Sequence, residues 1–224
     1  MKVGLLVAMP VELRGLPTDL PAPELVSGVP FYDLGENLLA CAGGVGKVNA
    51  ALATSLLCDR FGVDLVLNIG IAGSLLPLPT GTLVLASDFV QHDVDTSAVG
   101  DPVGLVSTVN RFSFPCDNLG LAKELLGDKS VLTGRVASGD WFAVDSPRAH
   151  EIARIFHPTL CEMEGCAAAQ VCFRAGVRFM ALKAVSDCIF AEGQLGDYFD
   201  FGQAIARLGR VALPFARKLA ALPR

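Results

Sequence analysis

Leu160-Cys161-Glu162-Met163-Glu164-Gly165-Cys166-Ala167-Ala168-Ala169-Gln170 is the stretch from which the fold is read. Leu160 to Met163 reads as a short strand and Gly165 to Ala175 as a helix of small residues. Phe179 to Val185 is a second apolar strand, capped by Ser186-Asp187. Two acids stand inside this apolar unit. If the strand continues through them, Glu162 and Glu164 point the same way, because side chains alternate along a strand. Buried acids cost free energy unless they have partners or a task.

The alternation continues on both sides. Residues 2 to 8 read as a buried strand, with Met9 to Leu13 turning outward and carrying Glu12. Short strands are expected at 30–33 and 38–41, and a helix at 50–61. A strand at 64–68 is expected to close at the turn Gly70-Ile71-Ala72-Gly73-Ser74, followed by a strand at 82–87. Residues 97–118 look irregular; helix 119–126, strand 130–137 and helix 147–156 follow. The last helix, 201–222, has apolar residues at helical spacing and an expected kink at Pro214. Strands alternating with helices indicate an α/β sandwich around a largely parallel sheet. At 224 residues, 52% apolar, with no repeat or linker, residues 1–224 are expected to form a single domain.

Composition removes several function classes. Charged residues make up 18% and the net charge is −5. No basic block stands out, so a nucleic-acid surface is not expected. No run is long and apolar enough to span a membrane, and no export-signal cleavage region follows Met1 to Ala8. Seven cysteines form no CxxC pair, which points to reduced, buried thiols, a cytoplasmic location and no zinc site.

In α/β sheets ligands sit at the carboxyl ends of strands. Glu12, the Gly43 turn, the Gly70 turn, Glu162/Glu164 and Ser186-Asp187 all fall there. Gly43 to Val48 is not a P-loop, since Cys41 and Val48 occupy positions that need Gly and Ser or Thr. A tight turn before a helix still offers backbone donors to a ligand. His92, Asp93 and Asp95 read as a hydrogen-bonded loop rather than metal ligands. Trp141-Phe142 is either core or a face that stacks on a planar ring. Asp187 alone could be a helix cap, and Glu164 could pair with Lys183 or a helix N-terminus.

An ordered set of motifs carries a resemblance spanning residues 1 to about 200: Ala8-Met9 with Glu12, Gly44-Val45-Gly46-Lys47-Val48, Asn68-x-Gly-x-Ala-Gly73, His92-Asp93-x-Asp95, Ser138-Gly139-Asp140-x-Phe142, Glu162-Met163-Glu164 and Ala184-x-Ser186-Asp187. The chain resembles the methylthioadenosine/S-adenosylhomocysteine nucleosidases, in the purine nucleoside phosphorylase fold group. The resemblance implies a three-layer α/β/α sandwich with a mixed, largely parallel twisted sheet. It implies a homodimer hydrolysing the bond between adenine and ribose; no cofactor and no metal are expected. Glu12 would activate water, ionised, and Asp187 would protonate the leaving purine, carrying a proton at least with substrate bound. Glu164 would hold the ribose hydroxyls, with Met163 beneath the ribose. Phe142 would stack on adenine, the backbone at Ala143 would read its edge, and Phe199 would close over the nucleoside. Met9, Val45, Ile71, Glu162 and Ser186 complete the expected substrate-binding set. The loop near residues 96–100 would reach the partner's alkylthio pocket.

The chain departs from the family pattern at Pro10-Val11, where further acids are usual, at Ile71, where a small polar residue is common, and at Lys183, where Arg is frequent. The rivals are a hydrolase of another purine nucleoside such as futalosine, a phosphorylase, and a non-catalytic nucleoside-binding module. A phosphorylase needs an Arg-rich anion pocket at the first loop, where this chain has Glu12. Futalosine hydrolases tend to carry Asn at the Asp187 position.

Overall fold

Apolar runs buried on both faces become the inner strands of the sheet. The structure, a computed structural model, describes residues 1–16, 18–199 and 201–224, with the side chains of residues 197–199 outside the description. In chain order the strands are β1 (Val3–Val7), β2 (Glu24–Val26), β3 (Val29–Asp33), β4 (Leu38–Ala42), β5 (Leu65–Ser74), β6 (Leu83–Gln91), β7 (Phe114–Pro115), β8 (Leu132–Ser138), β9 (Leu160–Glu162) and β10 (Arg178–Cys188). The helices are α1 (Pro10–Arg14), α2 (Lys47–Ser55), α3 (Leu119–Leu126), α4 (Pro147–Phe156), α5 (Gly165–Ala175), α6 (Gln194–Phe199) and α7 (Gly202–Ala220). A π-helical turn, Leu56–Arg60, prolongs α2.

The sheet is mixed. β4, β1, β5 and β10 run parallel, while β3 and β2 add an antiparallel edge. On the other side β10 pairs antiparallel with β6, β6 parallel with β8, and β8 parallel with β9. β9 then returns to pair antiparallel with the end of β5, at Gly73 and Ser74. Half of the sheet thus closes on itself. The closing strands bend at register shifts, between Ala86 and Phe89 in β6 and between Val185 and Cys188 in β10. Bulges bend a strand and re-aim its side chains. The β10 bulge carries Ser186 and Asp187.

Side chains divide between the two faces by strand alternation. Leu65, Leu67 and Ile69 of β5 meet Leu208, Leu213 and Phe215 of α7, while Val66 faces the opposite layer with Leu57, Cys166 and Cys172. A third cluster joins α4, through Ile152 and Phe156, to Val90, Cys161 and Ile189. No helix among the described residues is long and apolar enough to cross a membrane. Helix α7 runs through Pro214 as one element.

β5 does not end at Asn68 but continues through Gly70 to Ser74. The glycines there provide clearance. A Cβ at Gly70 would lie 2.7 Å from a Glu12 carboxylate oxygen, and one at Gly73 would lie 3.0 Å from Ile189 Cγ1, two residues beyond Asp187. Helix α7 uses the same device, since a Cβ at Gly209 would lie 1.8 Å from the Gly15 carbonyl oxygen. Gly209→Ala should gain roughly 1 kcal/mol of helix propensity. It should lose more to overpacking against backbone, for which about 1–3 kcal/mol is typical. A lower melting temperature is expected, and a raised one would contradict the close approach.

Candidate active site

The expected acids are gathered by three separate elements. Glu12 comes from α1, whose first position is Pro10, a residue suited to a helix start. Its carboxylate is 4% exposed. One oxygen accepts from Ala8 N–H at 3.0 Å and Met9 N–H at 2.8 Å, the other from Ile71 N–H at 3.0 Å. Ile71 therefore serves Glu12 through its backbone. Burial pushes the Glu12 carboxyl above its ordinary value, and the backbone donors and the Lys183 charge offset this only partly.

Glu162 and Glu164 do not point the same way. The strand stops at Glu162, and Glu164 already sits at the N-cap of α5. Glu162 turns back over the helix start, accepting from Glu164 N–H at 3.2 Å and from Gly165 N–H at 2.9 and 3.0 Å. It also accepts from Ser138 Oγ, whose oxygen in turn accepts from Cys166 N–H at 2.8 Å. Orphan N–H groups at a helix N-terminus attract such an acid. Lys183, not free for Glu164, lies 3.0 Å from Glu162 with both side chains buried. Burial opposes the Lys183 charge, but Glu162, Glu164 and Glu12 outweigh it and hold the ammonium above its usual value. Removing one partner of a buried pair costs about 3–5 kcal/mol. Lys183→Met should lower stability on that scale in denaturant melts, and Lys183→Met/Glu162→Gln should recover most of the loss. An equal loss in both variants would contradict the pairing.

Glu164 is left facing the cleft. It accepts from Gly46 N–H at 2.8 Å, presented by a backbone φ of 94° that glycine tolerates. Burial first, then the Glu162 charge, push its carboxyl up to about 7. The glycine turn thus gives this N–H to an acid of the site. Lys47 N–H goes to Asp140 at 2.8 Å, and Lys47 Nζ lies 2.6 Å from Asp93. Asp140 N–H donates to Asp93 at 2.9 Å, closing a polar cluster that joins three of the sequence motifs. Asp95 accepts from Ser97 N–H in a local turn.

In the β10 bulge Asp187 is 2% exposed. It accepts from Ser186 Oγ on Oδ1 and from Gln194 Nε2, at 2.8 Å, on Oδ2.

One cleft is lined by all of the expected residues whose side chains are described: Met9, Glu12, Val45, Ile71, Phe142, Ala143, Glu162, Met163, Glu164, Ser186 and Asp187. The Phe199 side chain lies outside the described residues. Ala8, Ala72, Gly73, Trp141 and Cys161 also line the cleft. It is mostly apolar with a few convergent carboxyls, the character of a small-molecule site. Among its described lining residues there is no Arg, Lys or His.

The model of the phosphorylase superfamily matches residues 2–218. A 5'-methylthioadenosine/S-adenosylhomocysteine nucleosidase of Shewanella halifaxensis is 33% identical over 221 residues, covering 93% of this chain and 94% of that one. The chain belongs to this nucleosidase family. Its fold matches the solved nucleosidase from S. pneumoniae with a transition-state inhibitor at a TM-score of 0.88 and 28% identity, covering 98% of this chain and 100% of that one. A futalosine hydrolase of Helicobacter pylori matches equally well in shape, with a TM-score of 0.88 and 28% identity over 97% of this chain and 98% of that one.

Two features of this nucleosidase-family site escape a sequence reading. Gln194 reaches Asp187 from a short helix between glycines, with no periodic signal ahead of it. Trp141 lines the cleft beside Phe142, and the Arg148 guanidinium lies 4.6 Å from its ring centre. Only the aromatic pair in sequence hinted at it.

Proposed function

We propose that this protein hydrolyses the N-glycosidic bond of methylthioadenosine or S-adenosylhomocysteine, releasing adenine and a thio-ribose. The observation that carries the reading is the Glu12 carboxylate, fixed by three backbone N–H groups at the wall of a cleft lined by no basic side chain among the described residues. An anionic wall disfavours phosphate and suits a base that takes a proton from water.

Each residue type fits a step. Water attacks the anomeric carbon of the ribose as Glu12 takes its proton. The bond to the purine nitrogen breaks, its electron pair stays on the base, and Asp187 delivers a proton there. Glu164 accepts from the ribose hydroxyls, Met163 packs below the sugar, and Phe142 stacks on the base, with Phe199 as its closing aromatic. The Ala143 peptide reads the base edge. Met9, Val45, Ile71 and Ser186 shape the wall, while Glu162 supports Lys183 and α5. The whole chain acts as one cytoplasmic domain, in keeping with its free cysteines. It works as a homodimer; Val45, Val48 and Leu52 offer an exposed apolar strip beside the cleft for the second copy.

The test is incubation of purified protein with methylthioadenosine, S-adenosylhomocysteine, deoxyadenosine, inosine and futalosine, with and without phosphate, identifying bases and sugars. Adenine and free methylthioribose are expected. Ribose 1-phosphate products would make it a phosphorylase, and no base release would leave only a binding role.

Glu164 adds a pH signature. Holding two hydroxyls requires the carboxylate, whose proton leaves near pH 7. Nucleoside affinity should rise with pH through about 7 and level off above. Below that point it should weaken by up to about tenfold per pH unit for one linked proton. Glu164→Gln should flatten the dependence; an unchanged slope would remove Glu164 from the sugar. For stability the sign reverses. The folded-state value lies above the unfolded one, so the contribution from protonated Glu164 is present at low pH and lost as pH rises through about 7.

A further inference from the structure

Gln194 opens helix α6 and is 7% exposed. Its amide nitrogen carries two hydrogens, and both are spent. One goes to the Ala143 carbonyl at 2.8 Å and the other to Asp187 Oδ2 at 2.8 Å. These acceptors come from different segments, the loop between β8 and α4 and the bulge of β10. No other hydrogen bond ties Asp187 to that loop among the described residues. A carbonyl and a carboxylate both accept only, so the amide must face them through nitrogen.

We infer that Gln194 is a positioning residue, which sets the Asp187 carboxyl and the Ala143 peptide at a fixed separation so that one base edge meets both. The inference rests on the proposed role of Asp187 as proton donor. Ser186 holds Oδ1 and Gln194 holds Oδ2, so the carboxyl plane is fixed from both ends. Glu12 of α1, Cys161 and Glu162 of β9, and Glu164 at the head of α5 share the cleft, with Lys183 behind them. Gln194 bonds none of them, so its loss should act on the reaction through Asp187 and Ala143.

The experiment is kcat and KM for methylthioadenosine in wild type, Gln194→Ala and Gln194→Glu, each alone and combined with Asp187→Asn, with melting temperatures for all. Gln194→Ala should lower kcat by up to about 10²-fold, the scale of a small misplacement of a reacting group, and should cost little further once Asp187 is Asn, because residues that act through one another are not additive. Gln194→Glu keeps the shape without an N–H for either acceptor, should behave in the same way, and serves if the alanine variant does not fold. An equal loss with and without Asp187→Asn would mean that Gln194 only supports the fold, and wild-type kinetics in both single variants would equally overturn the inference. Failure of the wild type to release adenine would instead overturn the nucleosidase reading.

Discussion

Asp187→Asn is expected to lower turnover of methylthioadenosine by about 10²–10⁴-fold, the usual value of one proton-transfer role, with nucleoside affinity close to wild type. The leaving purine takes the bonding electron pair, and a proton on the ring stabilises it. Asn has the same shape and fits the β10 bulge. It can still bond Ser186 and the base edge, but it has no acidic proton to give. Single-turnover rates and equilibrium binding of methylthioadenosine separate the two effects. Loss of binding in step with rate would make Asp187 a recognition group, and near-wild-type turnover would remove it from the chemistry.

Glu12→Gln should cost a similar factor, about 10²–10⁴, and should also destabilise the protein. Both carboxylate oxygens accept backbone N–H groups, two on one and one on the other. An amide offers one oxygen, so its NH₂ must face at least one of these donors. An unsatisfied buried donor costs about 1–3 kcal/mol. Glu12→Asp keeps the charge but retracts it, and should retain the fold better than it retains the rate. The pH dependence has a definite sign. Burial is the largest influence and lifts the Glu12 carboxyl above its ordinary value despite the donors and Lys183. The base form therefore fills at higher pH than for a free glutamate, near 4.3. The acid limb of kcat/KM should lie above that value in wild type. A limb at or below it would contradict Glu12 as the base in this environment.

Much of the fold could be read locally. Helix α4 begins at Pro147 with Ser146 as its cap, accepting from Ala149 N–H, and ends before His157 in a left-handed conformation. These signals lie within a few residues of the element they define, and so does the change from Glu164 to Gly165 at the start of α5. The closed half of the sheet was not legible. β9 is three residues long, and its pairing with β5 depends on bulges and distant register. The Gly70 to Gly73 segment misled for a related reason. Glycine marks turns, but here it makes room in a strand for Glu12 and Ile189.

The site divides the same way. Motif residues that touch the cleft were readable as residue types at strand ends. Their partners were not. Two acids two residues apart looked equivalent, yet one caps a helix and pairs with Lys183 while the other faces the cleft. Which acid takes the lysine is settled by the turn after β9, a tertiary matter. Ile71 looked like a lost hydroxyl, but the chain supplies Glu12 with its N–H, which every residue other than proline has.

The central claim is that water, placed by Glu12, is the nucleophile. Turnover of methylthioadenosine in water enriched with heavy oxygen, with phosphate present, tests it directly by mass analysis of the sugar. The label should appear in free methylthioribose, alongside unlabelled adenine. A sugar phosphate without label, or substrate left intact, would contradict it.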